Sequence, residues 1–242
     1  MKSASKDISS TSSRASELRA ELARKIASFM GSEENRATDI SGLTLHQRIA
    51  PTAPCSATYE PGVTVMAQGR KRVDLGRTTF IYGESRYLLT SLDLPIVSQI
   101  IEASADVPCL AMSLKLEMPV IRELLSREEI HVAEPPADSP AMATGEATVE
   151  FLDACCRLMD LLDTPQDVPF LSGLIQRAII YRILRGPEGH AFERLQHWEI
   201  RATGPQKQLP GSRQTTRSRY GSKNWHKLLV WACPRCTIIS ER

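Results

Sequence analysis

The sequence predicts an α+β fold: a β-sandwich or small β-barrel, preceded by one helix and followed by a pair of antiparallel helices and a disordered basic tail. Three observations carry this. Apolar residues recur at helical spacing near the N-terminus. Short β-rich runs, punctuated by Gly69, Gly76 and Gly83, fill residues 41–117. Helical spacing then returns twice between residues 149 and 185. The 242 residues are 42% hydrophobic but only 5% aromatic, enough for a large core that must be mostly aliphatic.

Residues 1–15 are polar and Ser-rich, and are expected to be disordered. From Ser16 to Met30, Leu18, Leu22, Ile26 and Phe29 form one apolar face, and Glu21 and Lys25 make an i,i+4 pair outside it. In "VTVMAQG", Val63, Val65 and Ala67 alternate with Thr64, Met66 and Gln68. "RTTFIYG" and "RYLLTS" read as further strands. "CLAMSLKLE" sets Leu110, Met112, Leu114 and Leu116 on one face, with Ser113 and Lys115 on the other. Residues 118–128 read as helical, and "AEPPADSPAMATGEA" as a Pro/Ala-rich linker. In "VEFLDACCRLMDLLD" the apolar face is Leu152, Cys155, Leu158, Met159 and Leu162. In "VPFLSGLIQRAIIYRILRG" it is Leu171, Leu174, Ile175, Ala178, Ile179 and Ile183, with Gly186-Pro187 as the stop.

Charge is unevenly distributed. From His197 onward nine Lys/Arg face only Glu199 and Glu241, a net of +7, which leaves the rest of the chain at −5. Six scattered cysteines, two of them adjacent, do not make a disulfide framework and suit reduced thiols in a cytoplasmic protein. "MKSASKDISSTSS" lacks the apolar core of a secretory signal, and no run approaches the ~18–20 apolar residues of a membrane span.

The segment "PCSATYEPGVTVMAQGRKRVDLG" (54–76), followed by "YLLTSLDLPIVSQIIEAS", "PCLAMSLKLE" and "LMDLLDTPQDVPFLSGLIQRAIIYRILRGPEGHAFERL", resembles the N-terminal region of bacterial AraC-type transcription regulators. The resemblance runs over residues 16–196, with the Gln-Gly-Arg-Lys stretch as its most specific part. It implies a cupin-like β-barrel that senses an unknown small-molecule effector, and helices that can form a homodimer. It also implies that a DNA-binding domain of two helix-turn-helix units should follow. Residues 197–242 do not resemble one.

The genetic code offers an account of that departure. "WACPRCTIISER" can be encoded by codons that, read one nucleotide earlier, give M-G-V-S-T-L-H-H-H-F-R. That string is similar to the second helix and following turn of the family's first helix-turn-helix. Continued upstream, the shifted frame can read "NYSQPLWIEKLAQATG", again similar to the entry into that domain. The segment 197–242 is therefore expected to be an aberrant basic tail produced by a one-nucleotide frameshift near codons 196–197. Cys233 and Cys236 are then its by-product. A structural zinc site would need four ligands, and His226 supplies only a third. The tail's charge allows weak non-specific contact with nucleic acid, but DNA readout belongs to the intact architecture alone.

Other chemistry is sparse. A metal-dependent cupin would need a close His pair and a carboxylate, whereas His46 and His131 lie far apart in sequence and default to surface positions. No cofactor or metal is expected. Arg70, Lys71 and Arg72 favour a solvated turn over an anion or nucleic-acid contact, with Gly69 serving the turn geometry. Asp153, Asp160 and Asp163 read as the wet face of their helix, and Cys155 and Cys156 as small apolar packers. No Ser-His-Asp or Cys-His arrangement has supporting context, so no enzyme is expected, with a small cupin enzyme as a remote alternative. The pocket candidates are Tyr59, Gln68, Arg72, Tyr82 and Tyr87, half of which alternation alone should turn outward.

Overall fold

A computed structural model describes residues 3–84, 86–127 and 141–192 of the chain. Helix α1 (Ser3–Met30) opens the fold. Nine strands follow: β1 (Asn35–Ala37), β2 (Leu43–Arg48), β3 (Cys55–Tyr59), β4 (Gly62–Gln68), β5 (Arg70–Leu75), β6 (Thr78–Gly83), β7 (Arg86–Thr90), β8 (Leu94–Glu102) and β9 (Cys109–Lys115). Helix α2 (Met118–Leu125), strand β10 (Met142–Glu146), and helices α3 (Val149–Asp160) and α4 (Val168–Leu184) complete it. The basic tail, its cysteines, and most of the Pro/Ala-rich linker with His131 lie outside the described residues.

The strands form two antiparallel sheets. One has six strands in the order β1-β2-β9-β4-β7-β10, and the other has four in the order β3-β8-β5-β6. The six-stranded sheet is buried on both faces. Its Leu43, Leu45, Val63, Val65, Leu89, Leu110, Met112 and Leu114 pack under the helices. Its Met66, Leu88, Cys109 and Ala111 meet Val73, Tyr82, Ile96 and Ile100 of the smaller sheet. The molecule is thus three layers: helices, large sheet, small sheet.

The helix layer follows the apolar spacing. Leu18, Leu22 and Ile26 of α1 and Leu152, Cys155, Leu158 and Met159 of α3 are all buried in the same core. Thr148 caps α3, its hydroxyl accepting from the Phe151 amide at 3.3 Å. Outside that core Lys25 pairs with Glu21 at 3.5 Å and also reaches Asp160. Asp153, Asp160 and Asp163 are exposed, as a wet face requires.

Several details differ from expectation. Helix α1 starts at Ser3, so residues 3–14, expected to be disordered, are its first turns. They hold neither Gly nor Pro, and extending a nucleated helix costs far less than starting one. Strand β10 emerges from what reads as linker: Met142–Glu146 pairs with Arg86–Thr90 at the sheet edge. Gly145 hid it, because Gly argues against a strand. Here it is a packing device, since a Cβ at Gly145 would fall 2.2 Å from Cζ of Tyr87 on the neighbouring strand. Arg70–Arg72 is strand rather than turn; the turn is carried by Gly69 at φ +84°. On α4 the buried residues are Ile175, Ile179, Ile180, Ile183 and Leu184, whereas Leu171 and Leu174 are 42% and 64% exposed.

Candidate functional site between the sheets

The interface of the two sheets is not uniformly apolar. Alternation along β2, β4, β7 and β9 turns His46, Thr64, Thr90 and Ser113 away from the helices and toward the small sheet. With Tyr59 of β3 they line a cavity of about 50 Å³, whose mouth carries Glu60, Pro61 and Lys115. Glu60 and Lys115 pair there at 2.8 Å. Deeper between the sheets lies Lys71 of β5, with no exposed surface. In the small sheet it stands opposite Tyr82 on one side and Ile100 on the other. Its Nζ donates to the Tyr59 hydroxyl, and sits 5.1 Å from that ring's centre.

A line of hydrogen bonds leads from Arg48 and Asn35 to the cavity-lining His46, Ser113 and Thr64. Arg48 Nη2 donates to Asn35 Oδ1 at 3.2 Å, and His46 Nδ1 lies 3.0 Å from the same oxygen. An amide oxygen only accepts, so Nδ1 carries the proton in a neutral ring, and Nε2 accepts from Ser113 Oγ at 3.0 Å. Thr64 Oγ1 is a further 3.0 Å from Ser113 Oγ. The order Ser-His-Asn is that of a nucleophile, base and orienting group. The electrostatics oppose that use. Burial first, then the charges of Lys71 and Arg48, hold His46 well below the ordinary histidine range, so an imidazolium is disfavoured where a general base must form one. The line is better suited to presenting fixed donors and acceptors to a ligand.

Burial likewise lowers Lys71 well below the ordinary lysine range; the Cys109 thiol opposes this and Arg48 reinforces it. Burial pushes the Cys109 thiol up to about 11, against Lys71 and Arg48, and raises the Tyr59 and Tyr82 phenols. The Tyr82 hydroxyl is buried without a hydrogen-bond partner. Such a group costs free energy in the empty protein and favours an acceptor brought by something else.

Two of the five pocket candidates, Tyr59 and Tyr82, point between the sheets. Arg72 does not: it is on the outward face of β5 and pairs with Asp74 at 3.0 Å. Tyr87 faces the opposite way, stacked on Phe151 under the helices with ring centres 4.9 Å apart, and donates to Glu188 at 3.4 Å. Gln68 stands at the end of β4, beyond a bulge, and donates to the Pro108 carbonyl at 2.7 Å. His46, expected on the surface, is 3% exposed because β2 lies inside the large sheet. Lys71 is the residue most clearly missed. Read as part of a strand, Lys71, Val73 and Leu75 share a face, and that period was the available signal. Among the described residues no three His, Cys, Asp or Glu stand together as metal ligands, and no helix is long and apolar enough to cross a membrane.

The fold defined by these layers is a cupin-like β-sandwich backed by helices. A family defined as the AraC-type transcriptional regulator N-terminus matches residues 39–191. More than half of the chain is matched, and the chain belongs to that family as the N-terminal region of a transcription regulator. Among solved structures it is similar to an apo form of ToxT from Vibrio cholerae, with a TM-score of 0.46 and 5% identity over 69% of this chain and 67% of that one. It is also similar to the AraC-like transcriptional activator CuxR, with a TM-score of 0.39 and 11% identity over 69% of this chain and 64% of that one. ToxT with a bound unsaturated fatty acid gives a TM-score of 0.41 and 7% identity, over 62% of this chain and 57% of that one. The chain thus spans about two thirds or less of the length of these regulators. A comparison with curated protein sequences returned no match.

Proposed function

We propose that this chain is the effector-sensing half of an AraC-type regulator, and that it takes a small molecule between its two sheets. The observation that supports this best is the cavity at the sheet interface, lined by fixed hydroxyls and the His46 imidazole rather than by aliphatic groups alone. Function of this kind needs a binding site and a rigid scaffold, and every lining residue sits on or beside a strand of the sandwich. On this reading the segment 197–242 is a frame-shifted basic tail rather than a helix-turn-helix, so ligand binding does not depend on it and the segment itself makes no sequence-specific operator contact. Two measurements test the reading. Titration calorimetry with effector candidates should show binding by this chain, and a gel shift with operator DNA should show no sequence-specific complex. A tight, specific complex would overturn the second part. Resequencing across codons 190–200 from independent clones tests the frameshift directly.

A second reading is favoured by one observation. Phe170, Leu171 and Leu174 of α4 are 77%, 42% and 64% exposed. A partner carrying the same fold, in an intact regulator, would cover them, and the chain would then act by forming inactive mixed dimers. Co-purification with an intact relative supports this; a strictly monomeric chain in its presence excludes it.

A further inference from the structure

The hydrogen-bonded line that ends in the cavity has a direction. It crosses the neighbouring strands β1, β2, β9 and β4, and its last two members, Ser113 and Thr64, stand directly opposite each other in the register. Arg48 Nη2 lies 3.2 Å from the same Asn35 side-chain atom that faces His46 Nδ1. A guanidinium only donates, so that atom is the amide oxygen, and the oxygen in turn requires a proton on Nδ1. A neutral imidazole then has one lone pair, on Nε2, and the Ser113 hydroxyl 3.0 Å away fills it. Ser113 has given up its one proton, so across the 3.0 Å to Thr64 it accepts. The Thr64 proton points at Ser113.

Thr64 Oγ1 therefore ends the line with lone pairs to offer a further group, not a proton. A reversed line would set a bare Nδ1 against the Asn35 oxygen, two acceptors 3.0 Å apart. A doubly protonated ring is opposed by burial, which with the charges of Lys71 and Arg48 keeps His46 weakly basic. Since Thr64, Ser113 and His46 all line the cavity, the fixed polar edge it turns to an occupant is an acceptor. Thr90, on the same lining, can play either part and does not alter this bias.

Size and charge narrow the occupant further. Among the described residues, the one carboxylate on the lining is Glu60, and Lys115 pairs with it at the mouth at 2.8 Å. The lining thus offers a charged occupant no counter-charge of its own, and desolvating it would be costly. The volume is about 50 Å³, against roughly 10–15 Å³ for a single water on the same measure, which leaves room for a body of a few heavy atoms.

Resting on the effector-sensing reading above, we propose that the cavity takes a compact neutral molecule through a hydrogen-bond donor, an alcohol-type O–H given to Thr64 Oγ1. A group that only accepts, such as a ketone carbonyl, meets the Thr64 lone pairs. Turning the Thr64 hydroxyl toward that carbonyl breaks its bond to Ser113, so the discrimination is about that of one neutral hydrogen bond.

Cyclopentanol and cyclopentanone differ in the donor and little in shape, and test this on the full chain by NMR titration, read from the Thr90 methyl and neighbouring amide signals. The alcohol should bind about fivefold more tightly than the ketone. Cyclopentylamine, a donor that carries charge, should bind more weakly than the alcohol. Thr64→Val keeps the shape, removes the acceptor, and should bring the alcohol down to the level of the ketone. Nitrogen-15 shifts of His46 read the direction of the line itself: Nδ1 should carry the proton and Nε2 should not. A proton on Nε2, equal binding of alcohol and ketone, or a preference that survives Thr64→Val would overturn the donor assignment, and the cavity would remain a ligand site for whichever probe binds. An amine that binds as tightly as the alcohol would overturn the neutrality. If none of the three binds although Nδ1 carries the proton, the compact-ligand proposal fails, the cavity holds water only, and the effector-sensing reading loses its cavity.

Discussion

The large sheet has two buried faces built on different principles. Toward the helices it offers Leu43, Leu45, Val63, Val65, Leu110, Met112 and Leu114, and the cover is aliphatic with one aromatic pair, Tyr87 on Phe151. Toward the small sheet the same strands offer His46, Thr64, Thr90 and Ser113, and the cover includes Lys71, Tyr59 and Tyr82. Both faces exclude water and both bury apolar area, the second through Met66, Leu88 and Ala111 against Val73, Ile96 and Ile100, but only the first does so almost without polar groups. The second carries desolvated polar groups, whose cost the first must offset. A fold that places stability on one side of a sheet and chemistry on the other can change its ligand without losing its core.

Deleting side chains should therefore have opposite signs on the two faces. Phe151→Ala removes the ring that supports Tyr87 and leaves a cavity in the helix-side core; it should cost about 3–5 kcal/mol in urea unfolding. Lys71→Met removes a buried amine from the other face. By analogy with buried ionic groups replaced by apolar ones, it should be neutral or stabilise the fold by about 1 kcal/mol or more. A loss of stability like that of Phe151→Ala would show that the amine is a structural keystone and would remove the contrast between the faces.

The helix-side face was legible in the sequence and the sheet-side face was not. Leu18, Leu22, Ile26, Leu152, Cys155 and Leu158 announce themselves by period and hydrophobicity, and all are buried where that pattern places them. Lys71 and His46 carry charge-bearing side chains whose default is solvent, so a reading from residue type turns them outward. Only the strand period across Lys71, Val73 and Leu75 opposes that default, and the flanking Arg70 and Arg72 mask it. Tyr87 shows the converse. Its polar tip suggested a pocket, but its position in β7 puts it with Leu89 under the helices. On α4, the one-sided spacing predicted burial for Leu171 and Leu174, but α2 and α3 meet the helix further along, at Ile175, Ile179 and Ile183.

The helix layer also has a pH-dependent tie. Arg177 of α4 holds Glu123 of α2 with two contacts of 2.6 Å, and Arg127 lies 3.4 Å from the same carboxylate. These hydrogen bonds lower Glu123 from the ordinary value of 4.5 to about 2. A depressed carboxylate stabilises the fold above its unfolded value and loses that contribution as pH falls through the folded one. The melting temperature should accordingly drop between about pH 4.5 and pH 2 by more in the parent than in Glu123→Gln. The difference should be modest and should shrink in high salt, because the pair is solvent-exposed. Equal slopes for the two proteins would show that the tie contributes nothing in solution.

The smallest effect is expected on the outer face of α4. Leu174 is 64% exposed beside Arg177 and Tyr181, so Leu174→Ser removes little buried area. The stability of the isolated chain should change by no more than about 0.5 kcal/mol. The same substitution on the inner face, at Ile179, would introduce a hydroxyl into the core and should cost several times more. What Leu174→Ser can change is association. If the exposed Phe170, Leu171 and Leu174 are covered in a dimer, the variant should weaken that dimer in sedimentation experiments while its urea midpoint at low concentration stays put. A stability loss at Leu174 comparable to that at Ile179 would mean that this stretch of α4 is covered within the chain itself. In that case the apolar spacing that predicted its burial would have been right about the face and wrong only about which segment covers it.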